Sequence, residues 1–166
     1  YEALGREAAG AVAVKISTGE PGGHHFLSPD LIEGFVQHVD GTIVDANTAY
    51  GGKRISTAMH YQVAEDHGFS AIAPVVILDG EGEISLPVTD GQHLEEDIVG
   101  AAFTDYDFHV VLSHFKGHAM AGLGGAIKNM SIGYASRAGK VPIPSSGHST
   151  TSWSGGTHDT FPGSFT

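Results

Sequence analysis

Apolar residues fall in short runs separated by glycine-rich breaks, and the runs alternate between strand-like and helix-like periods. Residues 11–17 (AVAVKIS) have the length and continuity of one buried strand, and the glycines and proline of TGEPGGHHF close it. Ser28 then precedes Pro29, a cap followed by a first-turn proline, and Leu31, Ile32, Phe35, Val36 and Val39 recur at helical spacing. Residues 41–45 (GTIVD) repeat the strand, ANTAYGGKR the loop, and Ser56 opens a helix that Gly68 can end. A third strand is expected over residues 71–78, and the Asp79-Gly80-Glu81-Gly82 turn before EISLPV predicts a hairpin. Residues 95–102 fit helix or strand, with Glu95-Glu96-Asp97 reading as a solvated acidic turn. FHVVLS at 108–113 is again a buried strand, and HFKGHAMAGLGGAIKNMSIG is expected as loop passing into helix. Residues 1–9 look helical.

Alternating strands and helices predict an α/β fold over residues 1–140: a mainly parallel sheet with helices on both faces, three layers in all, and one β-hairpin excursion. Residues 141–166 are rich in Ser, Thr, Gly and Pro without hydrophobic period, and read as a loop or linker leading to a further C-terminal part.

Charge changes the picture by exclusion. Nineteen acidic residues face eight basic ones, for a net charge of −11, and no basic run could follow a phosphate backbone or an anionic leaflet. Neither nucleic acid nor membrane is therefore an expected partner, and the apolar runs are too short to span a bilayer. The expected compartment is the cytoplasm, although a chain beginning at Tyr1 leaves a processed leader open. With no cysteine, these residues cannot ligate an iron–sulfur cluster or build a thiolate zinc site. Eleven histidines and twenty-four glycines remain as the chemical signal.

In open α/β sheets ligands gather at the carboxyl ends of strands, where the glycine-rich loops of this chain fall. The densest constellation is Ser113-His114-Phe115-Lys116-Gly117-His118, followed by Gly122, Gly124, Gly125 and Lys128. His114 and His118 could share a metal if the backbone between them were helical, although Gly117 weakens that geometry; one core and one solvated histidine is the plainer alternative. His60 is a third candidate ligand on the helix after the second loop, with His67 closing that helix. Asn47, Lys53 and Arg54, beside Asp45, offer amide and cationic groups for a carboxylate or phosphate, and Gly124 and Gly125 could lend backbone amides to the same anion. His24 and His25 rank below these. The dinucleotide and P-loop glycine patterns both fail, as does a hydrolase nucleophile elbow.

DANTAYGGKR, TAMHYQVAEDHGF and above all VLSHFKGHAMAGLGGAIKNMSIGYASRAGK resemble the family called domain of unknown function 362, over most of the chain. Members often continue further and are commonly described as iron–sulfur proteins, a label that does not transfer to these cysteine-free residues. More remotely, His118, Gly124-Gly125 and Lys128 are similar in order to a glycine-rich segment of nickel-pincer lactate racemases. That resemblance implies acid/base chemistry at His118 and cofactor attachment at Lys128, with His114 unmatched.

The leading expectation is thus a metal- or cofactor-dependent proton-transfer enzyme, racemase-like, isomerase-like or redox. It would bind a metal ion or metal-containing cofactor and a small anionic molecule, with His118 and Lys128 catalytic. The alternative is a non-catalytic anion-binding or electron-transfer component whose partner, an iron–sulfur domain or protein, holds the cluster outside this chain. A purely structural domain is the third possibility.

Overall fold

A computed structural model describes residues 5–91, 94–118 and 122–141, with His118 described in its backbone alone. Four parallel strands make the central sheet: β1 (Val12–Lys15), β2 (Gly41–Asp45), β3 (Val75–Ile77) and β6 (Phe108–Val111), in the order β3-β2-β1-β6. Val14 lies opposite Ile43 on one side and Val110 on the other, so β1 is paired along both edges. Such a strand must be apolar on both faces, which is what the unbroken AVAV run supplies.

Strand periodicity then sorts the core. Val12, Val14 and Ile16 point to one face, where Ile32 and Val36 of α1 (Pro29–His38), Ala64 of α2 (Thr57–Asp66) and Phe69 meet them. Ala13 and Val44 point to the other, against Leu78, Tyr134 of α3 (Ala126–Tyr134) and the half-buried Phe103 and Tyr106. The molecule is therefore an α/β domain with helices on both faces of a parallel sheet. Each fully buried Val or Ile contributes roughly 1.5–3 kcal/mol, and these two residue types make up most of the buried apolar side chains.

Local signals hold where backbone chemistry enforces them. Pro29 opens α1, and Gly68, at φ 87°, stops the chain after α2 in the left-handed region that suits glycine. Ser28 and Ser56 occupy the N-cap positions, but neither hydroxyl makes the capping hydrogen bond.

Other expectations are corrected. Residues 5–9 form no helix, and residues 1–4 lie outside those described. The excursion after β3 is an antiparallel pair, β4 (Glu83–Pro87) with β5 (Glu96–Gly100), so Glu96 and Asp97 belong to a strand rather than an acidic turn. After β6 the chain folds into a second hairpin, β7 (Lys116–His118) with β8 (Gly122–Gly124), before α3 begins. His114 and His118 are therefore not one turn apart on a helix, and the helical geometry for a shared metal is lost. The segment read as a linker lies outside the described residues beyond 141. None of the described helices is long and apolar enough to cross a membrane.

Candidate functional site

β1 sends its chain toward α1 and β2 on one side, while β6, its neighbour, sends its chain toward β7, β8 and α3. Loops leaving adjacent strands in different directions open a crevice at the strands' carboxyl ends. Here it is a cleft of about 540 Å³. The loop after β1 contributes Ser17, Gly19, Glu20 and His25, the loop after β2 Thr48, Tyr50 and Arg54, and the segment after β6 Ser113, His114 and Lys116. Gly124, Gly125, Lys128 and Asn129 complete the rim where β8 enters α3, and Lys140 reaches in from the turn after it.

The floor is built on an ion pair. Lys15, at the end of β1, is fully buried and gives its three protons to Ile16 O (2.6 Å), Asp45 Oδ1 (3.0 Å) and Asn129 Oδ1 (2.7 Å). An ammonium has three donors, and here all are used. Asn129 in turn donates to Leu112 O at 3.0 Å and Ser113 Oγ at 3.1 Å, which ties α3 to the end of β6. Asp45 also accepts from the Thr18 amide and hydroxyl, each at 3.0 Å, and from Ala46 N at 2.9 Å. Burial alone would raise the Asp45 carboxyl, but Lys15, His60 and Arg54 outweigh it and hold the group well below the usual carboxylate range.

His60 and His67 both grip Thr18. His60 lies with Nε2 2.8 Å from Thr18 Oγ1 and Nδ1 3.2 Å from Asn47 Oδ1, while His67 Nδ1 donates to Thr18 O at 2.7 Å. With both ring nitrogens engaged and the side chain buried, His60 is a structural post of the loop after β1, with no free lone pair for a metal. Asn47 behaves alike: its amide donates to Thr57 Oγ1 at 3.0 Å and it does not line the cleft. Lys53 is exposed and outside it.

Arg54 is buried in the wall, paired to Glu20 through Nη2 and to Asp45 through Nη1 at 3.4 Å, and its Nε has no partner among the described residues. His114 Nδ1 is likewise buried without a partner among the described residues. Lys116 spans the opening to donate to His25 O at 3.0 Å. Lys128, in the first turn of α3, is lowered by burial and then by the charges of Lys116, Arg54 and Lys15. Of the candidates read from sequence, Arg54, His114, Gly124, Gly125 and Lys128 thus meet in one cleft. His118 has its backbone at the end of β7, two residues after Lys116, and its side chain lies outside the description.

Two lysines were not singled out in the sequence. Lys15 carried a signal, since a lysine in the middle of a buried strand needs a carboxylate, and Asp45 ends the next one. Lys140 carried none, because its burial depends on a turn packed against β5 from far along the chain. Among the described residues no three histidine, cysteine or carboxylate side chains form a metal-ligand group.

The family model described as domain of unknown function (DUF362) matches residues 12–160, and the chain belongs to that family. No curated protein and no solved structure matches it.

Proposed function

We propose that this member of the family binds a small organic anion, a carboxylate or phosphate ester, in the cleft, and moves a proton to or from it. One observation carries the proposal. In a chain of net charge −11, five of the eight basic side chains, Lys15, Arg54, Lys116, Lys128 and Lys140, line a single cleft. Glu20 and Asp45 are the carboxylates that line it among the described residues, and both are engaged by Arg54. Such a concentration of positive charge costs stability unless an anion offsets it, and the low-dielectric walls focus the field on whatever enters.

The α3 N-terminus adds its dipole at Gly124 and Gly125, and the unpartnered Arg54 Nε and His114 Nδ1 supply directed polar contacts. Lys128 is our candidate for proton transfer, because burial and then its cationic neighbours hold it below an ordinary lysine. His118 keeps the acid/base role on its place in the β7–β8 hairpin. A metal or metal-containing cofactor, if bound, would meet His114 Nδ1 and would act there as an electrophile.

Calorimetric titration of succinate and of inorganic phosphate tests the anion site. Lys128→Ala should weaken binding about tenfold, or ~1.4 kcal/mol, whereas Lys53→Ala, outside the cleft, should leave it unchanged. Equal losses in the two variants would refute the cleft as the binding site.

A further inference from the structure

Lys140 stands apart from the other buried lysine. Lys15 spends all three protons on acceptors, whereas Lys140 Nζ donates to one, Ala135 O at 2.5 Å, among the described residues. It is nonetheless buried, and it lines the cleft. Its placement is built rather than incidental. The turn that carries it is pinned at Ser136 N to Ile98 O (2.8 Å), Arg137 N to Asp79 Oδ2 (3.0 Å), Ala138 N to Glu83 Oε1 (3.2 Å) and Lys140 N to Ser136 O (2.9 Å). Gly139 permits the approach, since a Cβ there would stand 2.0 Å from Ile98 O. Three hydrogen bonds from β5, the turn after β3 and β4, and a fourth within the turn, thus fix one amine at the cleft wall.

From this geometry we infer that Lys140 is a nucleophilic amine, and that the anion bound in the cleft is a carbonyl compound, such as a 2-oxo acid, with which it condenses. The inference deepens the anion-binding proposal and rests on it. The amine nitrogen adds to the carbonyl carbon, and the carbonyl oxygen leaves as water with the two amine hydrogens, so the imine forms without oxidant or reductant. Arg54 Nε and Lys128 would hold the carboxylate while Lys140 attacks. Burial, reinforced by Lys15 and Arg54 against the pull of Asp45 and Asp79, brings the Lys140 amine down to about 8. A usable share of it is then neutral near physiological pH.

Glyoxylate with cyanoborohydride, which reduces the imine irreversibly, is the probe, read by peptide mass mapping of the native chain. The expected result is labelling of Lys140 at least about tenfold faster than of exposed Lys53, since the cleft holds the probe beside the Lys140 amine. Labelling should slow when succinate is present and disappear in Lys140→Arg, with folding checked by circular dichroism. If succinate binds but Lys140 labels no faster than Lys53, or Lys128 labels in its place, the inference falls and the anion site stands. If succinate does not bind the native chain, both fall together.

Discussion

Lys15 and Asp45 meet at 3.0 Å beneath the cleft, and nearly every polar group of its floor is oriented by one or the other. Asp45→Asn keeps the shape but leaves Lys15 as a buried cation without its counter-charge and Arg54 with Glu20 alone. Breaking a buried pair from one side costs about 3–5 kcal/mol, so the urea midpoint should fall by that equivalent; a loss under ~1 kcal/mol would contradict the role given to the pair. The pH dependence has a definite sign. Because the Asp45 carboxyl is depressed in the folded chain, its contribution is fully present above the unfolded value near 3.9. It is lost as pH falls from there toward the folded value. Acid unfolding followed by circular dichroism should therefore be less steep below about pH 4 in Asp45→Asn than in the native chain. At this scale the sequence pointed to Arg54, His114 and Lys128, which the fold brings into one cleft because they follow strands at their carboxyl ends. His60 lies outside that cleft, an imidazole whose partners Thr18 and Asn47 come from two separate loops and engage both nitrogens, which no local pattern signals.

Elements carry a different balance between local and distant causes. Strands β1, β2 and β6 and helices α1 and α2 were legible because apolar period, Pro29 and Gly68 specify them within a few residues. The β7–β8 hairpin was not, since three-residue strands of KGH and GLG hold no hydrophobic alternation to read. Nor was β5, whose strand character comes from pairing with β4. Two glycine substitutions separate these causes. Gly34 is exposed on α1 with nothing within 4 Å of an added Cβ, so Gly34→Ala should stabilise the chain by roughly 0.5–1 kcal/mol through helix propensity alone. Gly139→Ala forces a Cβ onto the backbone of β5 and should destabilise by about 1–3 kcal/mol, with the Lys140 turn displaced. Thermal unfolding of the two variants checks both signs, and a neutral Gly139→Ala would mean that the turn is not held as described.

Among the described residues an acidic body carries a basic recess, and that contrast is a property of the fold rather than of any sequence run. Arg54, Lys116 and Lys128 follow different strands, and Lys15 and Lys140 are separated by most of the chain; the parallel sheet order β3-β2-β1-β6 gathers them. Anion affinity should consequently weaken as salt is raised, since ions screen the recess. It should also fall as pH rises through about 8, where Lys140 gives up its proton and the recess loses positive charge. Titrations at several pH values read this directly, and affinity that rises across that range would count against Lys140 as part of the site.

The most direct test is a backbone amide NMR titration of the isotope-labelled chain with succinate. Binding in the cleft should shift the amides of Gly124, Gly125, His114 and Arg54 together and saturably, leaving those of Gly34 and His38 on α1 in place. Shifts scattered over the surface, or none at saturating succinate, would contradict the claim that the fold assembles one anion site from these separate loops.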